Sequence, residues 1–312
     1  MSDTLRPLFI VGAARSGTSY LHALLNIHPH IRLSYESRLF TEGFHHYRRE
    51  PCIASAAGFN RFLDRILALE EDEDKNRWLC HTIRAHSAAL YRCHLAHGTF
   101  TGLVEDIFRL AGRPLACFGN KMLRAELCPD IAALWPHALF IVLIRDPRAV
   151  AASQIRRFKG RRLAYAAIYN NTHLTWARQL ARHRNRYLPV SYEAFVNEPA
   201  LHLDRILAFA GLDEDGKFHR KRMLHRIPPQ KNSLDKWRTT LTAGQAARIE
   251  SYCFDSMAAW GYRPDITERQ KYISWLEKCI ELGYEKKEAF FYNPKKWRQK
   301  RILHRLFSII RR

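Results

Sequence analysis

Two short, wholly apolar runs, each followed at once by a turn and a helical pattern, constrain the fold more than any other feature of the chain. Leu8-Phe-Ile-Val-Gly12 leads into residues 17–26, whose leucines recur at helical spacing until His28-Pro29 ends the helix. Leu139-Phe-Ile-Val-Leu-Ile144 leads into Asp146-Pro147, which is typical of a helix cap and first turn. Buried strands that alternate with helices predict a three-layer α/β fold with a mostly parallel central sheet.

The remaining patterns indicate one large domain with an appendage. A third strand is expected at Tyr187-Leu-Pro-Val-Ser-Tyr192, and a helix over 243–259 closes the main domain. We therefore expect a single domain over residues 1–262 and a basic helical extension over 263–312. Within the domain, residues 40–115 are helical in pattern and rich in histidine and arginine, which indicates an insert.

The formal net charge of +21 is unusual for a chain of 312 residues. Residues 286–312 contain ten lysines and arginines against one acid, Glu288, and so carry +9 of that charge. Anionic partners are therefore expected: a nucleotide, an acidic glycan, a membrane surface and nucleic acid all qualify. Nothing other than charge favours nucleic acid, so we do not expect it as a partner.

The cysteines and the apolar runs bear on the compartment. Seven cysteines are scattered without the spacing of a metal site or of a disulfide framework, which favours a reducing environment. The apolar run at Leu8–Val11 is too short for a signal peptide or a membrane span, and no later run approaches ~18 apolar residues. We expect a cytoplasmic protein that needs no metal ion.

Gly12-Ala-Ala-Arg-Ser-Gly-Thr-Ser19 lies where an α/β domain binds phosphate, between a buried strand and a helix. Glycine lets the backbone turn tightly, so that N–H groups at the helix start can face an anion. The segment nearly matches the nucleotide-hydrolase loop GxxxxGK[ST], but Thr18 occupies the lysine position and the cation lies at Arg15. Because a kinase acting on Mg²⁺–ATP needs that lysine, a P-loop kinase is the alternative that this loop disfavours.

Residues 9–21, Phe-Ile-Val-Gly-Ala-Ala-Arg-Ser-Gly-Thr-Ser-Tyr-Leu, resemble the 5′-phosphosulfate loop of sulfotransferases that use 3′-phosphoadenosine-5′-phosphosulfate (PAPS). The Arg-Ser-Gly-Thr form is most similar to tyrosylprotein and bacterial carbohydrate sulfotransferases. The resemblance implies a P-loop NTPase-like sulfotransferase fold. It also implies that Arg15 contacts the oxygens bridging to the sulfuryl group, and that the Ser16-Gly17-Thr18-Ser19 segment holds the donor's 5′-phosphate.

A second segment, Arg145-Asp-Pro-Arg-Ala-Val-Ala-Ala-Ser153, resembles the family's 3′-phosphate motif, in which an arginine at a strand end precedes a serine by eight residues. The resemblance implies that Arg145 and Ser153 bind the 3′-phosphate, and a guanidinium fork suits that anion. Val190-Ser-Tyr-Glu-Ala-Phe195 resembles the segment whose tyrosine contacts adenine. It implies that role for Tyr192.

Residues 230–238 resemble the late segment of the family that closes over the nucleotide. The match departs at two positions, because Gln230 stands where arginine is usual and Asn232 where glycine is usual. A solvated charge run is the alternative interpretation. The resemblance implies donor contacts for three residues: Lys231, Lys236 and Trp237.

Two more positions resemble residues beside the sulfuryl group in tyrosylprotein sulfotransferases. The resemblance of Asn120-Lys121 implies that Lys121 lies beside the sulfuryl group, and a surface lysine is the alternative interpretation. Glu36 follows Arg15 by 21 residues, which implies the base that takes the acceptor's proton; a carboxylate paired with Arg38 is the alternative. Cytosolic members of the family use a histidine base, and two histidines are kept as substitutes for Glu36: His81 and His86.

The resemblance thus predicts a PAPS-dependent sulfotransferase that modifies a hydroxyl. The insert at 40–115 is expected to recognise the acceptor, and its arginines and histidines suit a carbohydrate or glycolipid better than an apolar phenol. A tyrosyl peptide is the alternative acceptor, and a non-catalytic nucleotide- or glycan-binding protein is the alternative of another class. Residues 294–312 form an amphipathic basic pattern, which suits an anionic membrane surface at the inner face or docking on protein.

Overall fold

The structure, a computed structural model, divides the chain into two compact units. The first lies within residues 1–145 and 173–235, and the second within 146–172 and 236–312. The predicted boundary at residue 262 stays a prediction. The residues that the structure describes are 5–70, 74–112, 114–158, 163–183, 185–212, 216–229 and 234–267, with the backbone alone at 216–218.

The described residues of the first unit form one sheet of five parallel strands, in the order β2-β3-β1-β4-β5. Because all strands run the same way, their carboxyl ends share one edge, where α/β proteins bind ligands. The central strand β1 therefore delivers the segment after Gly12 to the middle of that edge. The strands are β1 (Arg6–Gly12), β2 (Ile31–Tyr35), β3 (Cys117–Met122), β4 (Leu139–Ile144) and β5 (Tyr187–Ser191).

The helices alternate with these strands along the chain, and a short 3₁₀ turn at Ala125–Leu127 follows β3. In the described residues the helices are α1 (Thr18–Leu25), α2 (Arg38–Thr41), α3 (Gly43–Arg49), α4 (Ala56–Leu69), α5 (Arg77–Ala85), α6 (Ser87–His97), α7 (Phe100–Arg109), α8 (Cys128–Leu134), α9 (Pro147–Arg157), α10 (Leu163–Leu180), α11 (Tyr192–Asn197), α12 (Pro199–Phe209), α13 (Gly216–Arg226), α14 (Lys236–Thr240) and α15 (Ala243–Ala259).

Both faces of the sheet are covered in the first unit, because successive side chains of a strand point to opposite sides. Leu8 and Ile10 of β1 pack in one apolar core with α1, α11 and α12. Phe9 points the other way, and its ring lies 5.4 Å from that of Phe40 on α2 and 5.3 Å from that of Phe140 on β4. The wholly apolar runs are thus strands buried on two faces, and the predicted three-layer α/β fold is confirmed.

The second unit is built around a buried arginine. Arg148 on α9 donates to Glu250 on α15 at 2.7 Å and to Asp146 at 2.8 Å, and its guanidinium lies 4.2 Å from the ring centre of Trp237. A buried charge is tolerated only when it is paired, so these contacts fix α9 against α14 and α15. Asp146 also caps α9 with Pro147 at its first turn, as predicted.

Two of the strands, β2 and β3, were not predicted, because each contains polar residues. Helices α2 to α7 extend from Arg38 to Arg109. The assignment of residues 40–115 as an insert that recognises the acceptor stays a prediction. Over the part of the chain that the structure describes, no helix combines the length and the apolar character needed to cross a membrane. The amphipathic segment 294–312 lies outside the described residues.

Candidate active site

The predicted phosphate loop joins β1 to α1 in a tight turn. The Ser16 N–H and hydroxyl both donate to the Ala13 carbonyl, at 3.0 and 2.7 Å. Gly17 precedes α1 with φ 100°, and a Cβ there would lie 2.3 Å from the Tyr192 ring, so only glycine fits. The first-turn N–H groups of a helix have no acceptor within the helix, and those of α1 start at Thr18. This geometry suits a bound phosphate.

Arg15 projects from this loop and is exposed, with φ 75°. Its carbonyl accepts a hydrogen bond of 2.9 Å from Nη1 of Arg145, which directly follows β4. The Arg145 guanidinium lies 4.2 Å from the ring centre of Tyr192, at the start of α11. The structure thus brings the loop, Arg145 and Tyr192 together at the carboxyl ends of β1, β4 and β5.

Glu36 and Lys121 form an ion pair at the same edge of the sheet. Tyr35 and Lys121 are register partners in β2 and β3, so the residue after β2 meets the lysine directly. Lys121 is only 2% exposed, whereas the Glu36 side chain is 38% exposed. The Glu36 N–H also donates to the Lys121 carbonyl at 2.8 Å. Arg38, the alternative partner of Glu36, pairs instead with Glu42 at 2.6 Å.

Tyr35, which was not predicted as a site residue, joins the loop to this ion pair. Its hydroxyl lies 2.8 Å from the Ser19 hydroxyl on α1. Its ring centre lies 4.3 Å from the ammonium of Lys121 and 4.1 Å from that of Lys75, both cation–π distances. The ring of His22 meets it edge-on at 5.2 Å. No sequence motif contains this arrangement, because its members come from four separate segments.

The electrostatics of His22 follow from its surroundings. Burial is the largest cause that lowers the pKa of His22, to about 4, and the positive charge of Lys121 lowers it further. Hydrogen bonding to the Leu33 carbonyl, 3.0 Å from Nε2, opposes that shift. His22 is therefore neutral at pH 7.

A buried network fixes the turn after β2. The Asn76 amide accepts from the Tyr35 N–H at 2.8 Å and donates to the Tyr35 carbonyl at 2.9 Å, so it brackets that residue. Asn76 is held in turn by a 2.7 Å bond to Glu70, which also accepts from the Ser37 hydroxyl at 2.7 Å. Burial raises the pKa of Glu70, and these bonds oppose the rise. On the other side, Asn120 accepts from the Ser37 N–H at 3.1 Å.

The other predicted residues belong to other elements or fall outside the described residues. Ser153 is half-buried on α9 in the second unit, with Lys236 exposed and Trp237 buried on α14. Lys231 is outside the described residues. His81 is exposed on α5, and His86 Nδ1 lies 3.2 Å from a carbonyl of that helix. No group of side chains able to hold a metal ion occurs in the described ranges.

Comparisons with known proteins agree with the motifs. The chain is 22% identical over 296 residues to protein-tyrosine sulfotransferase 2 of Gallus gallus, covering 89% of this chain and 69% of that protein. It is 25% identical over 226 residues to protein-tyrosine sulfotransferase 1 of Danio rerio, covering 70% of this chain and 56% of that one. The chain therefore spans only part of these relatives.

The solved structures support the fold. The sulfotransferase domain from the Synechococcus PCC 7002 olefin synthase superposes with a TM-score of 0.57 at 21% identity, covering 84% of this chain and 98% of that one. The sulfotransferase domain from the curacin biosynthetic pathway superposes with a TM-score of 0.55 at 17% identity, covering 84% of this chain and 99% of that one. A sequence model described as the sulfotransferase family matches residues 7–216, more than half of the chain. The chain therefore belongs to the sulfotransferase family and is a transferase enzyme.

Proposed function

We propose that the enzyme transfers a sulfuryl group from PAPS to an acceptor hydroxyl, with Glu36 as the base and Arg15 and Lys121 at the leaving oxygen. The ion pair of Glu36 with the buried Lys121 carries this proposal, because it lies at the same sheet edge as the phosphate loop. An ion pair requires an ionised carboxylate, which is the form that accepts a proton. A buried ammonium is a preorganised charge for the leaving group.

The donor is proposed to bind by its phosphates. The N–H groups of the Gly17-Thr18-Ser19 segment and the hydroxyls of Thr18 and Ser19 would hold the 5′-phosphate, while Ser16 would shape the turn through its two bonds to the Ala13 carbonyl. Arg145 would bind the 3′-phosphate. The closeness of Tyr192 to Gly17 and Arg145 supports a place beside the nucleotide. The remaining donor contacts rest on the resemblance alone: Ser153, Lys231, Lys236 and Trp237.

The proposed reaction is an in-line displacement. The acceptor oxygen forms a bond to sulfur while the bond from sulfur to the bridging oxygen of the 5′-phosphate breaks. The hydroxyl proton passes to the Glu36 carboxylate, and negative charge develops on the bridging oxygen. Arg15 and Lys121 would stabilise that charge, so the rate depends on positioning and electrostatics.

For the acceptor, we propose a carbohydrate or glycolipid hydroxyl. Exposed basic side chains on the insert support it, since they suit anionic or polyhydroxylated molecules: His45, Arg48, Arg49, Arg84 and Arg92. A tyrosyl peptide is a second candidate, and the names of the curated relatives favour it. We also propose a cytoplasmic location and contact of residues 294–312 with an anionic membrane; both rest on sequence.

A panel of hydroxyl compounds tests the proposal. The chain is incubated with sulfur-labelled PAPS and soluble sugars, glycolipid in vesicles or an acidic tyrosyl peptide, and products are identified by mass spectrometry. We expect a sulfated sugar or glycolipid, and none with Arg15→Ala. Sulfation of the peptide alone would make tyrosine the acceptor. Binding of adenosine-3′,5′-bisphosphate with no product in any arm would contradict catalysis and favour a nucleotide-binding protein.

A further inference from the structure

Tyr35 is placed where it can control a hydroxyl of the donor loop. Its oxygen lies 2.8 Å from Oγ of Ser19, and either oxygen could be the donor of that bond. A serine hydroxyl carries a single proton. If Ser19 gives this proton to a phosphate, its bond to Tyr35 must be one in which the tyrosine donates.

Several contacts hold Tyr35 in that position. The Asn76 amide brackets its backbone with bonds of 2.8 and 2.9 Å, and Asn76 is itself buried. The ring packs against the edge of His22 at 5.2 Å, with the Lys121 ammonium 4.3 Å from its centre. The hydroxyl is thus presented to Ser19 by a fixed ring, which lowers the entropy cost of orienting it.

We propose that Tyr35 is a positioning residue of the donor site: its O–H donates to Ser19 Oγ and so directs the only Ser19 proton at the donor's 5′-phosphate. This rests on the proposed function, in which the loop holds that phosphate. Because the Tyr35 ring also contacts Lys121, one side chain links the phosphate loop to the ion pair beside the acceptor.

A double-mutant cycle tests the hydrogen-bond relay from Tyr35 through Ser19 to the 5′-phosphate. Binding is measured by calorimetric titration with adenosine-3′,5′-bisphosphate. Tyr35→Phe keeps the ring and removes the donor, so we expect its dissociation constant to rise about 5- to 10-fold, the effect of one hydrogen bond. Ser19→Ala should weaken binding at least as much. Tyr35→Phe should then add nothing in the Ser19→Ala background, because the two side chains act through one proton.

Two controls isolate the effect. Tyr91→Phe also removes a tyrosine hydrogen bond, the 2.8 Å bond to the Ala54 carbonyl on the insert, and should leave nucleotide affinity unchanged. Adenosine-3′-monophosphate lacks the 5′-phosphate, so Tyr35→Phe should not alter its affinity. A loss of fold in a variant would instead weaken both nucleotides together.

The outcomes separate this inference from the proposed function. If the wild-type chain does not bind the bisphosphate, both the proposed function and the role of Tyr35 are wrong. If Arg145→Ala weakens binding while Tyr35→Phe binds within twofold of wild type, the relay alone is wrong. Effects of Tyr35→Phe and Ser19→Ala that multiply in the double variant would also overturn it, since they would act independently.

Discussion

Arg15 and Glu36 have positive φ values, 75° and 51°, which no other non-glycine residue in the described ranges has. In this region the Cβ crowds the following carbonyl, which costs roughly 1–2 kcal/mol. Local bonds hold both residues there: Arg145 donates to the Arg15 carbonyl, and the Glu36 N–H donates to the Lys121 carbonyl. Strained backbone clusters at functional sites, so a feature independent of any motif marks two of the three residues proposed to act on the reacting groups.

The strain at Arg15 predicts an order of stability between two variants. Arg15→Gly and Arg15→Ala both remove the guanidinium, so both should lose turnover. Arg15→Gly should be the more stable in urea unfolding, by about 0.5–1 kcal/mol, because glycine adopts a positive φ without strain. Arg92 in the exposed interior of α6 is the control, and there alanine should be the more stable. Equal stability of Arg15→Ala and Arg15→Gly in urea unfolding would contradict backbone strain at this position.

Glu36→Gln tests the base. Glutamine keeps the size and can still contact Lys121, but it cannot take a proton, so turnover should fall roughly 10²–10⁴-fold. The affinity for adenosine-3′,5′-bisphosphate should change little, because Glu36 is not placed on the donor. Glu198→Gln, at an exposed carboxylate before α12, should retain full turnover. Retained activity in Glu36→Gln would transfer the role to a histidine, with His81 and His86 the first to be substituted.

Among the strands, β1, β4 and β5 were predicted from the sequence, and β2 and β3 were missed. The run Leu8–Val11 of β1 and the whole of β4 are apolar, whereas β5 ends in Ser191. β3 is fully buried yet contains Asn120 and Lys121, whose polar groups are satisfied by residues that follow or belong to β2. These contacts form only because β2 pairs with β3, and Glu36 and Lys121 are 85 residues apart in the chain. A pattern within one segment cannot predict a contact between two distant segments.

For the candidate site, the sequence indicates residues within motifs but not the contacts between distant segments. The loop, Arg145 and Lys121 could be named because they stand in contiguous motifs, and Glu36 because it follows Arg15 by 21 residues. The ion pair of Glu36 with Lys121 could not be derived, since it depends on β2 lying beside β3. Tyr35, Asn76 and Glu70 carried no signal, because they come from separate segments and only their mutual contacts give them a role.

The burial of His22 on α1 predicts a loss of stability in acid. Its folded pKa, about 4, lies below the value of about 6.5 expected in the unfolded chain. Between these values the unfolded chain takes up a proton that the folded chain does not, so stability falls as pH falls from about 6.5 to 4. The loss should be on the order of 1–3 kcal/mol, after allowance for partial exposure.

His22→Gln should flatten this dependence, because an amide does not titrate yet can still donate to the Leu33 carbonyl. Urea unfolding at pH 7, 6 and 5 measures it. His81→Gln, at an exposed histidine on α5, should keep the wild-type slope. Other buried histidines with lowered pKa values, such as His94 and His173, account for the slope that remains. A His22→Gln chain as acid-sensitive as wild type would show that His22 does not contribute.

At the scale of the whole molecule, the charge of +21 is not confined to one region, since residues 1–285 are basic as well as the tail. A basic enzyme attracts its anionic donor, and salt should weaken that attraction. The tail adds apolar residues at helical spacing to its charge, which a purely electrostatic role does not need: Trp297, Ile302, Leu303, Leu306, Phe307 and Ile310. The combination suits attachment to an anionic bilayer.

Deletion of residues 294–312 separates attachment from catalysis. If the acceptor is membrane-borne, the truncated chain should lose activity on glycolipid in phosphatidylserine-containing vesicles but keep it on the soluble sugar headgroup. The eight lysines and arginines removed would each contribute about 1 kcal/mol near such a surface, so the loss should be large and should shrink at high salt. Leu303→Ser/Leu306→Ser keeps every charge and should lose part of the vesicle activity. Equal losses on vesicles and on the soluble sugar would mean that the tail supports the enzyme itself.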